Sequence, residues 1–319
     1  MRISLFGGGT DFPSWFTARP KGGSVLGFAL NQYCWITLRQ LPPYFVSYRH
    51  RIVWSKIELV ITTEAIEHPV VRCIFTEAIG IRDGLEVHHV SDIPARSGVG
   101  SSSAFAVGLI NAVAALRGQR LSPRELASAA IEVERIRLAE AGGWQDQLWA
   151  AHGGLARIDF NDSSYNYRSL IFPPGRTDEL LSHLMLFFTG LQRNAHNLEA
   201  EKTKIVNVTA LDRIRASVDE AETILTNGPL EALGPLLDAS WAAKRGLAAG
   251  VSTGAVDALY GAAKAAGATG GKLLGAGGGG FVLLFVPPER KTLVREALRG
   301  FIEVPVGIAA RGSEVVVYD

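Results

Sequence analysis

Pro94-Ala-Arg-Ser-Gly-Val-Gly-Ser-Ser-Ser-Ala104 is a glycine–serine loop that opens onto an almost wholly apolar stretch, residues 104–116. An apolar run of that length without a polar stripe predicts a helix buried on most sides. Unpaired N–H groups at the start of such a helix, together with its dipole, make an anion site. Ser101, Ser102 and Ser103 add hydroxyls suited to phosphate oxygens or a hard cation. No Gly-Lys-Ser/Thr closes the segment, so it is not a Walker A loop. One serine is enough to cap a helix. Three of them after Gly98-Val99-Gly100 favour a phosphate-binding loop.

Glycine is abundant along the whole chain, 35 of 319 residues, without the G-X-Y period of collagen. A second cluster, Gly7-Gly8-Gly9-Thr10-Asp11, permits close backbone approach and then delivers a hydroxyl and a carboxylate. A strained turn with an exposed acid is the plainer reading of it. The third cluster, Gly275-Ala276-Gly277-Gly278-Gly279-Gly280, lies between two apparent strands, whereas a dinucleotide fingerprint follows a strand and opens a helix. It reads either as a loop packed tightly on another backbone or a ligand, or as a flexible linker. Asp146, in Gly142-Gly143-Trp144-Gln145-Asp146-Gln147, is by itself a functional or a solvated acid in equal measure. Glu134, twelve residues upstream, reads alone as a surface acid.

The chain is 47% apolar and 20% charged, enough to bury a substantial core. Lys plus Arg (32) nearly balance Asp plus Glu (31), which argues against a nucleic-acid binder that works by displacing counterions. The two cysteines, Cys34 and Cys73, are expected to stay reduced. No signal peptide and no apolar run of 18 residues is evident, so a soluble, cytoplasmic protein with no membrane partner is expected. Strands are expected near 25–38, 57–62, 85–90, 155–159, 184–189, 272–274, 281–286, 303–308 and 314–318. Besides 104–116, helices are expected over about 196–226, 229–249, 254–266 and 289–299. A further helix is expected from Ser122 as N-cap, with Pro123 and Glu125 in its first turn, to about Ala141. This mixed order indicates an α+β fold, not a regular βαβ alternation.

Taken in order, these segments resemble the GHMP kinase superfamily, named for galactokinase, homoserine kinase, mevalonate kinase and phosphomevalonate kinase. Pro94 followed by the 98–102 loop is similar to its phosphate-binding motif, and 275–280 to its C-terminal glycine motif, which supports the phosphate loop in that family. Segments 2–13, 143–147, 188–195, 240–244 and 270–280 most resemble the sugar kinases that act on D-glycero-D-manno-heptose 7-phosphate. The resemblance implies two intimately packed α+β lobes, 1–175 binding ATP and 176–319 completing the fold, with the active site in the cleft between them. It implies ATP phosphates on Pro94, Gly98, Val99, Gly100, Ser101, Ser102 and Ser103. It places Mg²⁺ on Ser102 and Glu134, with Ser103 able to replace Ser102. Asp146 falls on the catalytic aspartate and Arg2 on the basic residue beside the reacting hydroxyl. Gly8, Gly9, Thr10, Asp11, Thr189, Gly277 and Gly278 are implied to contact substrate, and Arg193 and Lys244 to face its distal phosphate. The implied reaction converts the heptose 7-phosphate into the 1,7-bisphosphate.

Two departures stand out. The chain starts at the arginine of the first motif, where relatives carry a short preceding strand, and Ser103 stands where many relatives have alanine. A fucose- or galactose-like kinase, or a non-catalytic nucleotide- or sugar-binding regulator, is the alternative. A zinc enzyme fits less well, because the cysteines lack C-x-x-C spacing. Homodimerisation is left open.

Overall fold

The computed structural model describes residues 1–77, 84–95, 97–162, 164–190, 207–248 and 250–318. The first part of the chain forms β1 (Arg2–Phe6), α1 (Pro13–Phe16), β2 (Gly23–Ala29), β3 (Cys34–Leu41), β4 (His50–Val53), β5 (Ile57–Val60), α2 (Pro69–Glu77) and β6 (Gly84–Ser91). Then come α3 (Ser101–Leu116), α4 (Pro123–Ile131), α5 (Gln145–His152), β7 (Leu155–Asn161) and β8 (Ser164–Ser169). The last part holds α6 (Arg176–His183), β9 (Leu184–Phe188), α7 (Val208–Asn227), α8 (Leu233–Arg245), α9 (Gly254–Ala265), β10 (Gly270–Leu273), β11 (Phe281–Phe285), α10 (Lys291–Ala297) and β12 (Ile302–Val304).

Among the described residues three four-stranded sheets result, in the orders β1-β2-β7-β8, β3-β6-β4-β5 and β10-β11-β9-β12. Every pairing among these strands is antiparallel except β4 with β6. That parallel pair needs a crossover, and α2 lies within it. The mixed helix and sheet content is the α+β class expected.

The early and late parts of the chain share apolar interior. One buried cluster joins Ile3 and Leu5 of β1 and Leu26 and Phe28 of β2 to Leu184 and Leu186 of β9 and Val218 and Leu225 of α7. Each such side chain contributes about 1.5–3 kcal/mol on full burial, so the two halves hold together by core packing rather than by a polar seam. A second cluster packs α3 against α4, α5 and the β3-β6-β4-β5 sheet, and a third lies under the β10-β11-β9-β12 sheet. No described helix is long and apolar enough to cross a membrane.

The capping box at α4 forms as its sequence predicts. Ser122 N donates to the Glu125 carboxylate at 2.7 Å, and Glu125 N donates to the Ser122 hydroxyl at 3.3 Å. The helix does not reach Ala141, however. It widens into a π-helical turn over Glu132–Arg137 and ends there, with Leu138 N on the Val133 carbonyl (3.0 Å) and Glu140 N on the Glu134 carbonyl (2.9 Å). Ala139 then sits at φ +49°, outside any helix. The extra residue of a π turn carries no Gly or Pro marker, and such turns cluster at functional sites. Residues 314–318 also differ from expectation, forming no strand. Val316 and Val317 are exposed there, and β propensity without a partner strand does not order a backbone. Of the helix expected over 196–226, the described part begins at Val208, where the Asn207 side chain accepts from Ala210 N at 3.1 Å. Both cysteines are free thiols.

Candidate active site

The glycine–serine loop takes the backbone form its pattern requires. Gly98 and Gly100 take positive φ (+83° and +75°), and Gly100 caps α3 without any side-chain bond to the first turn. The N–H groups of Ser101, Ser102 and Ser103 therefore open the helix with no intrahelical acceptor. Val99 is fully buried in the shared core, so its contribution to the loop is backbone only. Pro94 stands exposed before the loop, its carbonyl accepting from the Ser97 hydroxyl at 2.7 Å.

The C-terminal glycine loop is packed onto this one. A Cβ on Gly275 would lie 2.5 Å from the Gly98 Cα, and one on Gly280 would lie 2.2 Å from the Ser97 carbonyl oxygen. Real Cβ atoms do not approach that closely, so the contact needs glycine on both strands of backbone. Tight backbone packing, rather than a linker, is what the 275–280 run does.

Arg2 joins β1 to the loop and to the acid on α5. Its Nε donates to Asp146 Oδ1 at 2.6 Å, its Nη1 to the Gly98 carbonyl at 2.7 Å, and its backbone N to the Val99 carbonyl at 2.9 Å. The Arg2 side chain is 6% exposed and that of Asp146 23%, so the pair is shielded but reachable.

Glu134 comes inward from the π-helical turn and is 1% exposed. Its Oε2 accepts from Ser103 at 2.7 Å and from the Gln147 amide at 2.5 Å, and its Oε1 accepts from Ser102 at 3.3 Å. Burial pushes its carboxyl above the usual carboxylate range, against the opposing pull of Arg135 and of those bonds. A cation beside it would reverse that burden. Ser102 is exposed and only loosely held, whereas Ser103 is buried and firmly bonded, so Ser102 is the hydroxyl open to a metal. One carboxylate and one hydroxyl fit Mg²⁺, which keeps several oxygens from water and phosphate. No group of three or more His, Cys, Asp or Glu gathers among the described residues.

Beside Asp146 lies a cavity lined by residues from 2–146 and from 244–276. Its described ionisable lining consists of four cations, Arg2, Arg135, Lys244 and Lys272, and two acids, Asp11 and Asp146. Asp11 is 1% exposed and accepts from Gly9 N at 3.0 Å and Gln145 N at 3.2 Å. Burial, and then the negative charge of Asp146, push its carboxyl upward. Gly143 permits this placement, because a Cβ there would overlap the Asp11 carboxylate. Lys244 donates to the Leu273 and Gly275 carbonyls at 2.9 and 2.7 Å, and Lys272 to the Leu5 carbonyl at 3.0 Å. Both ammonium groups thus stitch the glycine loop and β1 together while facing the cavity.

Several sequence expectations change here. Gly8, Gly9, Asp11 and Lys244 line the cavity, but Thr10 does not. Its hydroxyl lies 2.9 and 2.8 Å from the Gly7 and Ser24 carbonyls and accepts from Ser24 N at 3.0 Å. Fully buried and bonded to Gly7 and Ser24, the Thr10 hydroxyl anchors the first loop to β2. Thr189 likewise bonds Gly280, and Gly277 and Gly278 rest on Val251; none of these three lines the cavity. Arg193 lies outside the described residues. Sequence reasoning missed Ser4, Arg135, Gln145 and Lys272. Lys272 alone had a signal, since a lysine inside an otherwise buried strand must bond or bind something.

Comparison with known proteins points to one family. Residues 64–154 match the GHMP kinases N terminal domain and residues 219–303 the GHMP kinases C terminal domain. D-glycero-alpha-D-manno-heptose 7-phosphate kinase of Campylobacter jejuni is 34% identical over 222 residues, covering 67% of this chain and 64% of that protein. Mevalonate kinase of Pyrococcus horikoshii is 30% identical over 242 residues, covering 73% of this chain and 69% of that one. The match to the heptose kinase thus spans less than two thirds of its length. In solved structures, a D-glycero-D-manno-heptose 1-phosphate kinase from Bacteroides thetaiotaomicron superposes with a TM-score of 0.80 at 24% identity, covering 100% of this chain and 98% of that one, which shows the fold. The chain belongs to the GHMP kinases.

Proposed function

We propose that this GHMP kinase transfers the γ-phosphoryl group of ATP to the anomeric hydroxyl of D-glycero-D-manno-heptose 7-phosphate. The observation that carries the reading is the Arg2–Asp146 pair, set between the 98–103 loop and a cavity with four cationic and two acidic side chains. An excess of cations suits a substrate that brings its own phosphate. Residues 1–175 form the ATP-binding lobe and 176–319 the lobe that closes on it. Bound at the loop, ATP supplies the phosphoryl group, and Mg²⁺ held by Ser102 and Glu134 offsets charge on its phosphates.

The chain's own residues do the positioning. Arg2 holds one oxygen of Asp146, leaving the other to accept the hydrogen bond of the sugar hydroxyl and to take its proton as the oxygen becomes phosphorylated. The Arg2 guanidinium stabilises the negative charge that develops beside it. Gly8 and Gly9 let the sugar approach the backbone, Asp11 accepts from its hydroxyls, and Lys244 faces its phosphate. A non-catalytic sensor has no need of this acid, its arginine partner and Glu134 all held in place.

Coupled detection of ADP release tests the reading with the heptose 7-phosphate, L-fucose, D-galactose and mevalonate. The expected result is the highest kcat/KM for the heptose phosphate. Preference for an unphosphorylated sugar would move the assignment to that substrate, and no turnover with any of the four would refute the kinase.

A further inference from the structure

Two side chains that line the cavity each carry a buried polar atom with no bonding partner among the described residues: Ser4 Oγ and Gln145 Oε1. Ser4 is 5% exposed and Gln145 8%. An unpaired buried polar atom is costly, and native structures keep few of them without a purpose. Other unpaired buried atoms exist, such as Gln147 Oε1 and Trp149 Nε1, but those side chains do not line this cavity. Ser4 and Gln145 share it.

They also flank one notch. A Cβ built on Gly8 would lie 3.3 Å from Ser4 Oγ and 3.9 Å from Gln145 Nε2, so only the bare Gly8 backbone fits against both side chains. Ser4 stands two residues after Arg2 on β1, roughly 6.6 Å further along the strand. Gln145 directly precedes Asp146 at the start of α5. The notch therefore lies beside the reacting position, not on it.

We propose that Ser4 and Gln145 form a specificity subsite that reads one non-reacting hydroxyl of the sugar. Gln145 Oε1 accepts the hydrogen bond that this hydroxyl donates, and Ser4 Oγ donates to its oxygen. The inference rests on the sugar-kinase reading above and adds to it the part of the substrate recognised. A site built to pair a hydroxyl discriminates strongly against an analogue that lacks it, because its own buried atoms are then left bare.

The test measures kcat/KM of the native enzyme, Ser4→Ala and Gln145→Met with the heptose 7-phosphate and its 2-, 3- and 4-deoxy analogues, and melting temperature without ligand. Each variant is expected to lose about 10–100-fold in kcat/KM with the parent sugar, mainly through KM. With one deoxy analogue, native and variant enzymes should be equally slow, since the partner group is already gone. Neither variant should melt below the native protein, because each removes an unpaired buried atom. A merely structural role for the two residues predicts the reverse: lower melting and the same fractional loss with every sugar. That pattern, or variants within twofold of native on all sugars, overturns the subsite while the kinase reading stands. A native enzyme without sugar kinase activity overturns both.

Discussion

Replacing Gly275 with alanine tests whether the glycine loop holds the phosphate loop in place. Two costs add. At φ +71° an alanine side chain is strained by about 1–2 kcal/mol. Its Cβ would lie 2.5 Å from the Gly98 Cα and 2.8 Å from the Gly98 carbonyl oxygen, an overpacking worth about 1–3 kcal/mol. The sum is about 2–5 kcal/mol. An unfolding entropy of about 2.1 cal/mol/K per residue over this chain converts that into a Tm lower by about 3–7 °C. Gly118→Ala supplies the control: its φ is +69°, but nothing lies within 4 Å of the added carbon. Only strain remains there, about 1–2 kcal/mol, or about 1.5–3 °C. Differential scanning calorimetry of the two variants separates strain from contact. The contact also predicts a functional loss, since a loop displaced by about 1 Å costs roughly 100-fold in kcat/KM for ATP. Equal melting temperatures and equal ATP kinetics for the two variants would refute the packing argument.

Three further outcomes follow from the site. Asp146→Asn should lower kcat by about 10²–10⁴-fold; ATP binding, followed by titration calorimetry, should stay within threefold. Lys272→Met strips the buried Leu5 carbonyl of its partner, which costs about 1–3 kcal/mol, or about 1.5–4.5 °C in Tm, and KM for the sugar phosphate should rise more than KM for ATP. Glu134 has a folded-state pKa raised above its ordinary 4.5, so it weakens folding increasingly as pH climbs from about that value through the raised one. Metal-free Glu134→Gln should thus gain stability relative to native at pH 7.5 and lose that advantage near pH 4, while added Mg²⁺ should raise the melting point of the native protein only. A gap between the two proteins that does not change with pH would show that Glu134 is not the buried, raised acid described here.

Much of the fold was legible in local pattern. The apolar run after the serines became α3, the Ser122–Glu125 box formed bond for bond, and the 281–286 run became β11. What failed depended on partners far along the chain. Residues 314–318 have strand propensity but no strand to pair with, and the helix after Ser122 ends four residues early because a π turn carries Glu134 into the interior. Thr10 looked like a sugar ligand beside Asp11, yet its hydroxyl is saturated by the backbone of β2.

The sequence by itself determined the pieces of chemistry: a glycine–serine loop opening a buried helix, an acid after Gly142-Gly143, and glycines where backbones must touch. Each is a local property of residue type and spacing. Only the tertiary structure decided which pieces meet. Arg2 and Asp146 are 144 positions apart, and Lys272 reaches Leu5 across 267. No periodicity encodes such contacts, because they arise only when elements far apart along the chain pack around a shared apolar core. That same packing leaves Ser4 Oγ and Gln145 Oε1 buried without a partner among the described residues, a state visible only once the neighbours are in place.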